Sequence, residues 1–441
     1  MNDADWVGIE NEAASVLSRY IQIDTTNPPG NEREGAEFLG DWLSGESIPA
    51  TMYHPVPDRA NLLAVLKGDG SRSPVLLLHH IDVVPAAGER WSRDPFGGVV
   101  EDGHVWGRGA IDNKSLGVMH LMAFALLRRQ SVRLKRDVMM LAVSDEEMGG
   151  AVGSKWMIDN HWDDIRSEYL WDEGGVGTLG IVGDRPVFAV SVSEKRSVVV
   201  ILRAGGAGGH GSMAANAPVE RLLAALECLR GWSGSVELGP VTIEFLTRLS
   251  KTQSFPASWL MRNASRPWGR PLVVGKLSAI PSIDAMLRDT IRVTMLRAGD
   301  SANVSPDIAE AVLDVRLLPG TDQGGFLQLV RDVIDDETIE VQATEALTGG
   351  AASPSDSDFF RALEQAVLGS SPDAIVTPIQ TPVATDSRFF RQRGVKAYGI
   401  NPGIFTQSEI ETIHGVDERI SLRNLGMGTR IVYESLLDLC G

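Results

Sequence analysis

The amino-acid sequence predicts an α/β fold in which a mostly parallel sheet with helices on both faces is interrupted by a smaller α+β domain. Three apolar runs, VLLLHH, VMMLAVS and YLW, have the composition of buried strands. Residues 113–129 and 151–162 lie between these runs and have apolar side chains at helical spacing. Strands that alternate with helices indicate a parallel sheet, because each helix returns the chain to the same edge of the sheet.

The domain order is predicted to be discontinuous. From about residue 190 the sequence changes to β-rich runs with helical stretches between them, which is typical of a sheet with helices on one face. We therefore predict a larger domain made of residues 1–190 and 356–441, with a smaller domain at 191–355. Residues 236–290 exceed a minimal α+β unit, and the sequence assigns them no function.

Length and composition exclude several classes of protein. A chain of 441 residues with 43% hydrophobic residues is long enough for two domains with buried cores. Its net charge of −17 argues against binding to nucleic acid or to an anionic membrane. Two cysteines, Cys228 and Cys440, do not suggest a disulfide framework. Because neither a signal peptide nor a membrane-length apolar run is evident, we expect a cytoplasmic protein.

His80 and Asp82 stand at the end of the first apolar run, where side chains two residues apart on a strand point to the same face. A histidine in this position can bind a metal through one ring nitrogen while a carboxylate holds the other nitrogen. When a His-x-Asp pair occurs alone, the histidine more often has its hydrogen bonds satisfied at a strand end and binds no metal. Residues further along the chain favour the metal-binding interpretation.

Other acidic and imidazole side chains follow apolar segments or lie in glycine-containing loops. Ligands of open parallel sheets bind beyond the carboxyl ends of the strands, so side chains at these positions should converge. The candidates besides His80 are Asp112 in GRGAIDNK, Glu146 and Glu147 in SDEEMGG, Glu173 in LWDEGG, and His414 in IHGVDE.

The chemistry of these candidates favours two metal ions and a base. Nitrogen and oxygen ligands without thiolates suit zinc, manganese or cobalt. The candidates are too many for one tetrahedral zinc, but they fit two ions about 3.5–4 Å apart that share a bridging carboxylate. One acid is left to deprotonate the bridging water, and the adjacent Glu146 and Glu147 can supply both a base and a ligand.

The sequence resembles the dizinc amidohydrolases, the family of aminoacylase, glutamate carboxypeptidase, acetylornithine deacetylase and succinyl-diaminopimelate desuccinylase. The resemblance covers nearly the whole chain and departs from the family pattern at His79, where relatives usually have glycine. His79 should point away from His80 on the strand, so it is left out of the site. The ordered motifs are IQIDTTNPPGNE, LLLHHIDVVPA, GRGAIDNK, SDEEMGG, DEGG, GGHGSMAANAP, SANVSP, DVRLLPG and IHGVDE.

The resemblance implies two zinc ions per subunit, with cobalt or manganese as alternatives. It places His80, Asp112 and Glu173 on one ion and Asp112, Glu147 and His414 on the other. Asp112 would then be the bridging carboxylate.

Further roles follow from the same resemblance. It implies that Glu146 is the general base and that Asp82 orients the histidine of the first strand. The third acidic motif varies among relatives, so Asp172 stays a rival to Glu173 as a ligand. Relatives hold the bridging acid before a cis peptide bond, which predicts a cis bond after Asp112.

We predict a hydrolase that uses a water bridging two metals to cleave an amide bond in a peptide or N-acyl amino acid with a free carboxylate. Guanidinium pairs bidentately with carboxylate, so Arg316 in DVRLLPG is the best candidate to bind the substrate. The resemblance supports Arg316 and adds Asn303 in SANVSP, and Arg388 in TDSRFF is a further candidate. The alternatives are a surface role for Arg316 and a non-catalytic carboxylate-binding protein on the same fold.

The resemblance gives His210, in GGAGGHGS, the role of donating a hydrogen bond to the oxyanion of the tetrahedral intermediate. Such a donor must lie about 3 Å from the developing charge, and a lid hinged away from the metals does not bring its own histidine that close. We therefore expect residues 191–355 to form a lid that joins two subunits in a homodimer. The remaining histidines are expected to be structural or exposed, and they are His54, His104, His120 and His161.

Overall fold

The computed structural model describes residues 3–86, 90–180, 184–212, 216–345 and 349–441. Within these residues no helix combines the length and the apolar content that crossing a bilayer requires. The helices are α1 (Asp3–Ile21), α2 (Glu32–Gly45), α3 (Lys114–Arg129), α4 (Ser154–Asn160), α5 (Trp162–Ile165), α6 (Pro218–Gly231), α7 (Pro240–Leu249), α8 (Ala257–Arg262), α9 (Arg270–Leu277), α10 (Pro281–Leu287), α11 (Gln323–Ile334), α12 (Asp358–Ser370), α13 (Ser387–Gln392), α14 (Gln407–Ile410) and α15 (Leu422–Cys440). The strands are β1 (Ala50–Val56), β2 (Arg59–Leu66), β3 (Val75–His80), β4 (Val99–Glu101), β5 (His104–Trp106), β6 (Val138–Val143), β7 (Tyr169–Thr178), β8 (Val187–Glu194), β9 (Arg196–Gly205), β10 (Gly209–His210), β11 (Thr290–Ala298), β12 (Val304–Ser305), β13 (Ile308–Leu317), β14 (Ile339–Ala343), β15 (Ile375–Thr381), β16 (Lys396–Phe405) and β17 (Arg419–Ser421).

The larger sheet takes strands from both ends of the chain, in the order β1-β2-β6-β3-β7-β16-β8-β15. β3 is parallel to β6 and β7, β16 is parallel to β7, and β15 is parallel to β8. β1 and β2 form an antiparallel edge. The predicted mostly parallel sheet is therefore confirmed. The predicted boundary at residue 190 falls inside β8, a strand of this sheet, and the division into domains stays a prediction.

Helices cover both faces of the larger sheet, because successive side chains of a buried strand point in opposite directions. Leu77 of β3 packs on one face in a cluster that includes side chains of α1, α3, α12 and α15. Leu76 and Leu78 pack on the opposite face with side chains of α4, α5 and α13. Residues 114–127 of α3 are buried without interruption, as expected for a helix enclosed between the sheet and other helices.

The smaller sheet is antiparallel and has the order β11-β13-β9-β14. Side chains of β13 alternate between buried and more exposed positions, which indicates a sheet with one covered face. The cover consists of α6 and α11, whose side chains Leu222, Phe326 and Val330 join the buried cluster. This is the α+β unit that the sequence predicts.

Residues 236–290, which exceed a minimal α+β unit, pack on the larger sheet. Phe245 and Leu246 of α7 share a buried cluster with Val187 of β8 and Ile379 of β15. β15 lies at the edge of the larger sheet, so α7 covers an edge strand, which protects such an edge from pairing with other chains.

Candidate metal centre

The predicted ligands come from five distant parts of the chain. Three of them lie on or after strands of the larger sheet, one lies between β5 and α3, and one lies between α14 and β17. His80 ends β3, Asp112 precedes α3, Glu147 lies in a short 3-10 helix after β6, Glu173 belongs to β7, and His414 lies between α14 and β17.

Asp112 links two groups of side chains. His80 Nε2 lies 3.0 Å from Asp112 Oδ1 and 3.7 Å from Glu173 Oε1. His414 Nε2 lies 3.0 Å from Asp112 Oδ2 and 3.4 Å from Glu147 Oε1. In each group of three, the ligand atoms all lie within 4.8 Å of one another. The peptide bond between Asp112 and Asn113 is cis, as predicted.

These side chains fit two divalent ions. All the donor atoms are carboxylate oxygens or imidazole nitrogens, the set preferred by zinc, cobalt and manganese in hydrolytic sites. Glu147 Oε1 is buried without a hydrogen-bond partner, although a buried carboxylate oxygen normally has one. Burial and the neighbouring Asp112 together raise the pKa of Glu173 to about 8. A bound cation would satisfy the free oxygen and oppose the repulsion between the carboxylates.

Asp82 ties the loop of the two glutamates to the end of β3. Its Oδ1 accepts a hydrogen bond from the Glu146 backbone N–H at 3.1 Å, and its Oδ2 accepts one from the Glu147 N–H at 3.2 Å. The Asn27 amide donates to Oδ2 at 2.9 Å. His80 Nδ1 lies 3.6 Å from Asp82 Oδ1 but only 2.9 Å from the Asp82 carbonyl oxygen. The carbonyl therefore orients the His80 ring more directly than the predicted carboxylate does.

Glu418 holds the turn that carries the bridging acid, and the sequence reasoning did not identify this role. One carboxylate oxygen accepts hydrogen bonds from Arg108 Nη1 at 2.7 Å and from the Gly109 N–H at 3.0 Å. The other accepts from the N–H groups of Ile111 at 2.8 Å and Asp112 at 3.0 Å. The position of Glu418 within the IHGVDE motif was the available signal.

Replacing Glu418 with alanine should destabilise the protein by about 3–5 kcal/mol, because the guanidinium of Arg108 would lose its buried partner. Denaturant unfolding of the metal-free protein measures this change. The exposed Glu411 lies nearby and provides a control, whose replacement should cost less than about 0.5 kcal/mol. Equal losses for the two variants would contradict the positioning role.

Glu146 lies beside the ligand groups. Burial, followed by the charge of Glu173, raises the pKa of Glu146 well above its usual value, whereas His80 and Arg388 act in the opposite direction. Arg388 is buried and donates to backbone carbonyls, including that of Gly149 at 3.1 Å. A guanidinium held in this way supports the loop of Glu146 and is poorly placed to bind substrate directly.

The rival ligand Asp172 has different partners from Glu173. Its Oδ2 accepts hydrogen bonds from the backbone N–H of Ser387 at 2.9 Å and from the Ser387 hydroxyl at 2.7 Å. The group of ligand atoms around His80 contains Glu173 instead. The geometry favours Glu173 as the ligand and gives Asp172 a structural contact with α13.

The remaining histidines lie outside both ligand groups within the described residues. His79 is fully buried beside Gly117, and burial lowers its pKa to about 3, in agreement with its predicted orientation away from the site. His54 is exposed, His104 and His161 are partly buried, and His120 is fully buried.

The substrate-binding candidates lie on different strands, His210 and Asn303 at the pairing of β10 with β12, and Arg316 near the end of β13. His210 and Asn303 are neighbours, because β10 pairs with β12 and the Gly211 N–H donates to the Asn303 carbonyl at 2.9 Å. Arg316 lies eight residues beyond Ile308, the first residue of β13. At the rise per residue of a β-strand, the eight residues from Ile308 to Arg316 span about 26 Å. Because β12 shortly precedes β13 in the chain, His210 and Asn303 lie near the start of β13, and Arg316 lies toward the other end of that strand.

The fold and the ligand groups together define a metal-dependent hydrolase built on an α/β sheet. The chain belongs to peptidase family M20/M25/M40, whose model matches residues 76–438. It is therefore an enzyme that acts on amide bonds, and the alternative of a non-catalytic carboxylate-binding protein has no support.

Named relatives agree with this membership. The chain is 30% identical over 441 residues to the N-fatty-acyl-amino acid synthase/hydrolase PM20D1 of Bos taurus, covering 95% of this chain and 86% of that protein. It is 29% identical over 380 residues to "Probable carboxypeptidase S-like 2" of Dictyostelium discoideum, covering 84% and 71% respectively. The fold is similar to that of an M20 family metallo-carboxypeptidase, Sso-CP2 from Sulfolobus solfataricus, with a TM-score of 0.74 at 18% identity and coverage of 97% and 99%.

Proposed function

We propose that the enzyme hydrolyses an amide bond in a small substrate with a free carboxylate, either a short peptide or an N-acyl amino acid. The observation that carries this proposal is the shared carboxylate of Asp112, which directs one oxygen to each ligand group. Both substrate types occur in the names of similar proteins, a carboxypeptidase and an N-fatty-acyl-amino acid synthase/hydrolase.

Two ions per subunit would be held by the ligand groups, and we propose zinc, with cobalt or manganese as alternatives. Bound ions of this kind polarise a carbonyl oxygen and lower the pKa of a water molecule. The side chains that would hold them are His80, Asp112 and Glu173 in one group and Asp112, Glu147 and His414 in the other.

Glu146 is proposed as the general base. Its backbone N–H is held by Asp82, and its neighbour Glu147 belongs to a ligand group, so the Glu146 carboxylate is free to act on the attacking water. It would take a proton from that water and pass the proton to the nitrogen of the departing amine. The nearby charges of His80 and Arg388 favour its ionised form against the effect of burial on its pKa.

The substrate carboxylate is proposed to bind Arg316. The side chain is 28% exposed and donates through Nε to Asp314 Oδ1 at 2.9 Å. This hydrogen bond fixes the direction of the guanidinium, which pairs with carboxylates in a planar, bidentate way. Asn303 and His210, near the start of β13, are proposed to bind polar groups near the scissile bond.

A hydrolysis screen tests the substrate class. Dipeptides and N-acyl amino acids would be assayed with zinc, cobalt and manganese, each beside an analogue whose carboxylate is replaced by a neutral amide. We expect hydrolysis of at least one free acid and a loss of at least ~10²-fold for its neutral analogue, because a buried polar site rejects substrates that leave it unpaired. Equal rates for the free acids and the neutral analogues would contradict recognition of a carboxylate.

Metal affinity should increase with pH. The neighbouring carboxylates of Asp112 and Glu147 raise the pKa of His414 to about 10, and the pKa of Glu173 is about 8. Both groups hold protons near neutral pH without metal and must lose them to bind an ion. Affinity should therefore rise at least about tenfold per pH unit between pH 6 and pH 8. Chelator competition measures this, and a pH-independent affinity would contradict the ligand assignment.

Two expectations from the sequence are kept as proposals. We propose that the smaller sheet with α6 and α11 is a lid over the metal centre and that residues 1–190 and 356–441 form the catalytic domain. We also propose a cytoplasmic location. Truncation and cell fractionation would test the two proposals separately.

We further propose a homodimer joined through the smaller sheet, in which His210 completes the site of the partner subunit. The positions along the chain support this arrangement, since His210 pairs beside the start of β13 and Arg316 lies toward the other end of that strand. The edge strand β11 also supports the proposed homodimer, because it is exposed from Arg292 to Ala298 and is available for pairing with another chain.

Mixing two inactive variants tests the shared site. His210→Ala and Glu146→Gln should each be nearly inactive alone. After subunit exchange at equal concentrations, about a quarter of the wild-type activity should return, because half of the dimers are mixed and each has one intact site. Light scattering and mass-labelled subunits would verify dimers and exchange. Verified exchange without recovered activity would contradict the shared-site proposal.

A further inference from the structure

The outer surface of residues 255–272 carries exposed apolar side chains. Phe255 is 79% exposed, Trp259 46%, Trp268 48% and Leu272 57%. The two tryptophan rings stack with their centroids 4.9 Å apart and an interplanar angle of 28°. Trp259 lies four residues after Phe255, and Leu272 lies four residues after Trp268, with one member of each pair in α8 or α9. The stacked rings join these pairs into one surface, here named the aromatic patch.

The aromatic patch is not needed to fill the core. The same part of the chain, residues 255–277, already buries Ala264, Val273 and Leu277 in the cluster that contacts β8 and β15. A protein surface rarely leaves several large apolar side chains together in water unless they bind something. The outer side chains therefore indicate an interaction surface.

The segment that carries the aromatic patch is basic, whereas the whole protein is acidic. Residues 245–283 contain no aspartate or glutamate, although the chain carries a net charge of −17. Arg248 is paired with Glu244 and Glu364. The other basic side chains of the segment are exposed and have no ion-pair partner among the described residues, and they are Lys251, Arg262, Arg266, Arg270 and Lys276.

We propose that the aromatic patch binds the surface of an anionic lipid bilayer. Tryptophan and phenylalanine favour the interface between headgroups and acyl chains, and lysine and arginine beside them attract anionic headgroups. The net charge of the whole chain does not oppose this binding strongly, because charges are screened over about 10 Å at 0.1 M salt. The five unpaired basic side chains therefore determine the local attraction.

The same surface fits a nucleic acid less well. Single strands bind to aromatic side chains whose ring faces are free for stacking with bases. In the aromatic patch, Trp259 and Trp268 cover one face of each other, and Leu272 offers no stacking surface. Insertion into a lipid interface requires only apolar area, which all four exposed side chains provide.

Vesicle sedimentation tests the proposal with the full chain. We expect binding to vesicles of phosphatidylglycerol and phosphatidylcholine, little binding to phosphatidylcholine alone, and release at 0.5 M salt. The double variant Trp259→Ser with Trp268→Ser should weaken binding at least ~10-fold, because it removes apolar area from the interface. The double variant Arg262→Glu with Arg266→Glu should also weaken binding at least ~10-fold, since one basic residue near an anionic surface contributes about fivefold. Failure of the wild-type protein to bind the anionic vesicles at low salt would overturn the proposal.

Matched substitutions elsewhere control for general effects. Val7→Ser with Val100→Ser removes two exposed apolar side chains, and Arg166→Glu reverses an exposed charge, all outside the aromatic patch. These variants should bind vesicles like the wild-type protein. Loss of binding in the controls would overturn the assignment of the patch, as would binding to a single-stranded oligonucleotide that vesicles cannot displace. Circular dichroism and metal content confirm folding without relying on the proposed substrate.

Discussion

Glu146→Gln is expected to lower the turnover number at least ~10²-fold while the protein keeps its metal, the usual scale for removing a general base. Glutamine has nearly the same shape as glutamate, and the backbone N–H that Asp82 holds is unchanged. The side chain of Glu146 belongs to neither group of ligand atoms. Turnover with the best substrate of the screen and metal content by mass spectrometry would be measured on the same preparation.

Glu147→Gln is the matched control, because it changes the adjacent carboxylate in the same 3-10 helix. It should lower metal content, since Glu147 Oε1 lies 3.4 Å from His414 Nε2 in a ligand group and has no hydrogen-bond partner. Wild-type turnover by Glu146→Gln would refute its role as a base. If Glu146→Gln loses metal and Glu147→Gln keeps it, the roles of the two residues are exchanged.

The sequence indicates several of the candidate ligands because they lie at or soon after strand ends that the apolar pattern already marks. His80 follows a run of buried strand residues, and Glu147 follows another. Parallel neighbours bring such ends to one edge, so the approximate place of these ligands follows from the alternation of strands and helices. Periodicity alone does not predict the two ligand groups or the cis bond after Asp112. These predictions come from the resemblance to the family motifs.

The supporting contacts were harder to predict, because they join residues that are far apart in sequence. Glu418 contacts Arg108 and the turn of Asp112, which are about 300 residues away in the sequence, and no local sequence pattern predicts such a contact. The expectation for Asp82 used the rule that alternate residues of a strand share a face. β3 ends at His80, so the rule no longer holds two residues later, and the Asp82 carboxylate turns toward the glutamate loop.

The smaller sheet shows a second limit of sequence reasoning. Composition identifies its β-rich runs, but the distance between Arg316 and His210 depends on strand register, which only the folded structure gives. The packing of α7 to α10 depends on a similar choice. Their apolar side chains could cover either sheet, and they pack on the larger one, against Ile379 of the edge strand β15 and Val187 of the adjacent β8.

Asp112→Ala is expected to have the largest effect, a loss of both bound ions and of at least ~10³-fold in turnover, because metal polarisation contributes several kcal/mol to such reactions. Its two carboxylate oxygens lie 3.0 Å from Nε2 of His80 and of His414, respectively, so one substitution removes a ligand from both groups. The variant should also lower the pKa of His414, whose largest upward shift comes from the hydrogen bond to Asp112.

Substitutions of unshared ligands distinguish a bridging role from general damage to the site. Glu173→Ala should weaken only the ion of the His80 group, and His414→Ala only the ion of the other group, so each variant should retain about one ion per subunit. Metal titration of the three variants, with imidazole NMR to follow the pKa of His414, makes the comparison. Because Asp112 faces both histidines, its removal must reduce binding below either single variant; two ions per subunit in Asp112→Ala would refute the shared carboxylate.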